Sequence, residues 1–248
     1  MDVSVIIRSL ASTVNLSTFT CSNFAKHLLG YLEKLAIQLQ VQRLDIVFDT
    51  YLEGSIKSMT RDKRGRCCEI VFNEDDLIGD KFEKFLLNSH NKTNLNALIQ
   101  KHATNPLFWQ WSGEIVTTFG KKLWSRNEGV REVGTWIDAV HEEADNRLLI
   151  HAKDMLDAGI KTIVVRTADT DVIVIFLSFH LQFRQYTNSD IWIEFGKRDT
   201  KRFISINKAS DDLGESFCLA VMFFMHSAGV IQQHHSSKKQ AHRCFKFG

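Results

Sequence analysis

Apolar side chains recur along this chain with two periods, and each period names a different element. From Val140 through Ala144, Leu148, Ala152 and Met155/Leu156 they return every three to four residues, which predicts a helix running to Ala158, with Gly159 in the position of a left-handed cap. Thr162–Val165, a short and mostly β-branched run between Lys161 and Arg166, reads as a buried parallel strand. Leu44–Phe48 reads as a second such strand and Val3–Ile7 as a first, while Thr18–Gln40 carries Phe24, Leu28, Leu32, Leu35 and Leu39 along one helical face. The pattern predicts an α/β fold: a mainly parallel central sheet, with strands 3–7, 44–48 and 162–165 in the middle and helices on both faces.

Elsewhere the periodicity is less regular. Asp80–Asn88 and Asn94–His102 read as short amphipathic helices, and Glu114–Phe119 as a strand. Val172–Phe179 fits either a strand or a buried helix. Ile191–Phe195 and Arg202–Ile206 read as a hairpin, followed by helices at Asn207–Leu213 and Ser216–Met225. The expected organisation is one domain over residues 1–230, with 67–135 a helical insertion, and a basic, histidine-containing tail over 231–248. Trp109, Trp111, Trp124 and Trp136 are expected to fill the core of the insertion rather than to stack on bases.

The chain has 248 residues, 44% hydrophobic and 24% charged, which is ordinary for a folded α/β domain and argues against disorder. The longest wholly apolar run, Phe217–Met225, is well short of a membrane span, and the start lacks a basic leader, so a nuclear or cytoplasmic protein is expected. Five cysteines without a C-x-x-C pair fit free thiols in a reducing compartment. A net charge of +2 neither demands nor excludes a polyanionic partner.

The distribution of acids changes the picture. Glu142, Glu143 and Asp145 lie at the start of the predicted 140–158 helix, and Asp169 and Asp171 follow the strand 162–165. Asp49 follows the strand 44–48 in the same way. Glu143 and Asp145 flank the apolar stripe at about 100° from Ala144, whereas Glu142 points to the opposite side. Carboxylates crowded beyond the carboxyl ends of strands repel one another unless a cation sits between them, and hard oxygen ligands suit Mg²⁺ or Mn²⁺. The structural alternative for each motif is a helix start complemented by acids and an Asp-Thr-Asp cap.

Val47-Phe48-Asp49, Glu143-Ala144-Asp145 with its helix, and Asp169-Thr170-Asp171 together resemble the flap endonucleases and their relatives among the PIN-like nucleases. The resemblance implies structure-specific cleavage of nucleic acid, DNA ahead of RNA, by two divalent metals, with Asp49, Glu143 and Asp145 on one ion and Asp169 and Asp171 on or near the second. It also implies that Lys57 and Arg61, four residues apart in the basic stretch Tyr51–Arg66, hold the scissile phosphate, where a solvated loop is the plainer reading. The family places two further aspartates where this chain has Arg8 and Ile231. A relative that binds nucleic acid or a protein without cutting is therefore the alternative. Asp2 is not expected to replace the missing acid, because it precedes the strand expected at 3–7 and would lie at the opposite end of the sheet. His141 reads as a first-turn polar residue, and His234, His235, His242 and Cys244 match no closed zinc pattern.

Overall fold

The computed structural model describes residues 1–11, 16–48, 72–79, 82–119, 122–132, 144–196 and 200–227. Asp49, Lys57, Arg61, Glu143, Ile231 and the 231–248 tail lie outside the described residues. The fold is α/β, and the chain divides into two compact units, Asp2–Arg131 with Glu142–Ala144, and Met1 with Glu132–His141 and Asp145–Gly248.

In the first unit, α1 (Val3–Ala11) occupies the stretch expected to be the first strand. Its buried side chains are Val3, Ile6, Ile7 and Leu10, at i, i+3, i+4 and i+7, which is a helical stripe and not a strand alternation. The Ser4 N–H donates to Asp2 Oδ1 at 2.8 Å, as a helix start requires. Helix α2 (Cys21–Gln38) begins at Thr20, whose hydroxyl accepts from Asn23 N–H at 3.1 Å, and buries Phe24, Leu28, Leu29 and Leu32. Strand β1 (Arg43–Ile46) pairs in parallel with β2 (Glu114–Phe119), and β3 (Lys122–Ser125) and β4 (Gly129–Arg131) then add antiparallel, in the order β1-β2-β3-β4. Between β1 and β2 come a short helix, α3 (Phe82–Phe85), and α4 (Ser89–Ala103), which packs on α2. Trp109 is buried and donates from Nε1 to Ala103 O at 2.9 Å, the core role expected of it.

In the second unit, α5 (Ala144–Asp157) buries Ala144, Leu148, Ala152 and Leu156, the stripe read from the sequence. Gly159 (φ +80) closes it: its N–H donates to Leu156 O at 2.9 Å and that of Ile160 to Met155 O at 3.0 Å, a double bond pattern that needs the left-handed residue. Strand β5 (Thr162–Thr167) pairs in parallel with β6 (Asp190–Phe195), and β7 (Arg202–Ser205) pairs antiparallel with β6, completing the expected hairpin. Helix α6 (Thr170–Phe183) settles the ambiguous apolar run. It is buried on almost every side and packs on α7 (Ile206–Leu213) and α8 (Glu215–Ser227).

The sheet differs from expectation in two respects. The strands at 44–48 and 162–165 belong to two separate mixed sheets, each with one parallel pair and the rest antiparallel. Strand β5 buries Ile163, Val165 and Thr167 but leaves Val164 46% exposed, so only one of its faces is covered by the described residues. No helix among the described residues is long and apolar enough to cross a membrane. Cys21 and Cys218 are buried free thiols, and burial together with the Asp76 carboxylate pushes the Cys21 thiol up to about 11.

Two stability predictions follow from the packing. Phe24 is fully buried, with its ring 5.3 Å from that of Phe82, so Phe24→Ala should lower the unfolding free energy in urea by about 3–5 kcal/mol. His180 is buried, and its Nδ1 has no hydrogen-bond partner among the described residues. Burial, then the Arg184 charge, hold its pKa below the ordinary histidine value. The folded state therefore binds fewer protons than the unfolded one, and the stability tied to His180 is complete above pH ~6.5 and falls as the pH drops below it. Unfolding free energies measured between pH 7.5 and 5.5, a window of roughly one unit on either side of that value, should decline less steeply for His180→Gln than for the wild type. Equal slopes would remove His180 from the account.

Candidate functional site

The candidate site begins at the end of a strand. Strand β5 leaves the sheet at Thr167, which is fully buried; the Asp169 N–H donates to Thr167 Oγ1 at 3.1 Å. Asp169 then adopts an extended backbone (φ −102, ψ 131), and its Oδ1 accepts from the Asp171 N–H at 2.9 Å, which makes it the N-cap of α6. Asp171 lies in the first helical turn. Both residues are exposed, and both face the field of a helix amino terminus, which favours negative charge. The helix they start is held by its apolar surround, so the pair is presented on a rigid support at the carboxyl end of a parallel strand.

Asp145 is half-buried in the first turn of α5. Asp49 and Glu143, and the basic pair Lys57 and Arg61, lie outside the described residues. The structure thus brings Asp169 and Asp171 together across one turn. Among the described residues no three His, Cys, Asp or Glu side chains are grouped closely enough to hold a metal ion.

One acid was missed by the sequence reading. Since Val3–Ile7 is helix, Asp2 does not precede a strand. It forms a parallel bridge with Val47, just past the carboxyl end of β1, and the Val3 N–H donates to Val47 O at 3.0 Å. Asp2 is buried to 8% exposure and pairs with Val47, two residues before Asp49 in the sequence. The signal was available: an aspartate immediately before apolar residues spaced 3, 6, 7 and 10 is a helix-start pattern. Arg8, expected to stand at the end of a strand in place of an aspartate, is instead exposed on α1.

Two ion pairs, one buried and one partly buried, lie on the strands. Arg43 grips Asp45 with Nε to Oδ1 at 2.7 Å and Nη2 to Oδ2 at 2.8 Å within β1. Arg166 of β5 grips Glu194 of β6 with both bonds at 2.8 Å, and Lys201 Nζ adds a third contact at 3.1 Å. Burial raises the Glu194 pKa, but the Arg166 bonds and charge and then Lys201 outweigh it, and the carboxyl is held below its ordinary range.

No protein-family model, curated protein or solved structure matches this chain.

The capping geometry separates two functions of one carboxylate. Asp169→Ala should destabilise by about 0.5–2 kcal/mol, whereas Asp169→Asn, which keeps an accepting oxygen, should cost only a few tenths. Urea titrations of the two variants make the comparison. Equal losses would show that the charge, and not the cap, carries the effect.

Proposed function

We propose that this chain is a metal-dependent phosphodiesterase acting on nucleic acid, DNA ahead of RNA, related in its site plan to the flap endonucleases and other PIN-like nucleases. The observation that carries the reading is the placement of Asp169 and Asp171 at the carboxyl end of parallel strand β5, on the start of a helix, where α/β sheets bind their ligands. The bridge from Asp2 to Val47 adds a second strand end that bears an acid. On this reading Asp2 takes the part for which Arg8 would have been a loss.

The donor set suits the metal: carboxylate oxygens at helix starts are hard ligands of the kind Mg²⁺ and Mn²⁺ take. Asp169 and Asp171 would hold or order one ion, and Asp49, Glu143 and Asp145 the other. A bound ion would supply charge neutralisation at the phosphodiester and a water nucleophile at neutral pH. The chain's own contribution is placement. The N-cap bond fixes one oxygen of Asp169, the first turn of α6 fixes Asp171, and Lys57 and Arg61 would orient the phosphate as it enters. The proposed setting is intracellular, in the nucleus or cytoplasm. A relative that binds without cutting is the second reading; Arg8 does not favour it, because that residue lies within helix α1 and does not end a strand.

The deciding assay follows cleavage of labelled flap, single-stranded DNA and RNA substrates across Mg²⁺ and Mn²⁺ concentrations. Wild type should cut only with metal, and Asp169→Asn combined with Asp171→Asn should lower the rate by about a hundredfold or more while the fold is retained. Asp2→Asn should behave similarly. Cutting that survives both changes would overturn the site, and absence of metal-dependent cutting by the wild type would overturn the activity.

A further inference from the structure

Helices α1 and α4 enclose a cleft of about 60 Å³ whose described lining is Ser4, Ile7, Arg8, Leu86, Lys92, Leu95 and Asn96. The polar members come as two helical pairs. Ser4 and Arg8 are four apart on α1, and Lys92 and Asn96 are four apart on α4, so each pair shares one helix face. Ile7, Leu86 and Leu95 are buried and form an apolar floor. Two side chains are cations, and the serine hydroxyl and asparagine amide can both donate; no carboxylate is among the described lining residues. The volume is ample for several water-sized groups.

We propose that the Ser4, Arg8, Lys92 and Asn96 cleft between α1 and α4 is a binding site for a phosphate group. Arg8 supplies a planar fork that meets two phosphate oxygens at once, and Lys92 supplies a compact charge from the opposite helix. The apolar floor lowers the local dielectric and so strengthens both attractions. The phosphate is either free, as the inorganic ion or a small ester, or one unit of a polynucleotide backbone; the chemistry of recognition is the same. The site does not depend on hydrolysis elsewhere in the chain.

The test uses two probes on the full chain. Inorganic phosphate should raise the melting temperature of the wild type, and a labelled single-stranded oligonucleotide should bind with a salt-dependent affinity. Arg8→Ala and Lys92→Ala should each weaken whichever ligand binds by about tenfold or more. If the oligonucleotide is the ligand, the double variant should also lose about 0.7 from the slope of log affinity against log salt for each phosphate contact removed. Arg8→Lys should retain part of the binding, which separates lost charge from lost fold, and Lys34→Ala, an exposed cation on α2, should change nothing. Phosphate protection without oligonucleotide binding assigns the cleft to the free ion, and the reverse assigns it to the backbone. Binding of both that is indifferent to Arg8 and Lys92, or binding of neither, overturns the proposal. Because no step of this test reads cleavage, a chain that binds but never cuts would keep the cleft and lose only the nuclease activity.

Discussion

The bond on which the site depends most is the partly buried pair between Arg166 of β5 and Glu194 of β6, which face each other in register across a parallel ladder. Its two parallel charge-assisted bonds are the stronger and more geometrically specific kind. The pair therefore fixes more than its own energy. A slip of β5 by one residue would carry Arg166 onto the face that holds Ile163, Val165 and Thr167 and would leave Glu194 alone. It would also shift Thr167 and Asp169 along β6. The position of the acids is thus set by a charge pair three residues upstream.

The same plan recurs in the other unit. Strand β1 also carries an Arg–carboxylate pair, here fully buried, also pairs in parallel with its neighbour, and also meets an aspartate just past its end, where Asp2 bridges Val47. In both places the acid starts a helix: Asp2 accepts the Ser4 N–H and Asp169 accepts that of Asp171. In each case one oxygen of the carboxylate serves the cap.

Legibility followed the length of each periodic signal. Helix α5, its Gly159 cap, strand β5, the β6–β7 hairpin and the two helices after it were readable because each presents several repeats or a residue with one conformational reason to be there. The error at Val3–Ile7 came from window size. Over five residues a β-branched apolar run suits a strand, and only Leu10 completes the helical stripe. That one misreading displaced Asp2 and gave Arg8 a role it does not have. The short strands β3 and β4 were not foreseen, since three or four residues with mixed burial carry no usable period, and their turn depends on Gly129 at φ +74. The separation of the strands into two mixed sheets could not be read at all, because pairing partners leave no mark on local periodicity. Of the candidate site, the Asp169–Asp171 turn was legible from its own residues; the ion pairs beneath it were not, because they join residues distant in sequence.

That distance has a kinetic side. The β1–β2 contacts span 71 residues, as from Thr117 to Ile46, whereas Arg166 and Glu194 are only 28 apart. Closing the longer loop costs about 0.8 kcal/mol more in chain entropy before any pairing compensates for it. During folding, then, the β5–β6 ladder and the helix it launches have the shorter search, and the β1–β2 ladder must wait for a larger excursion of the chain. The segment between β1 and β2 is consequently part of the search itself: its length sets how long the acid-bearing end of β1 stays without its sheet.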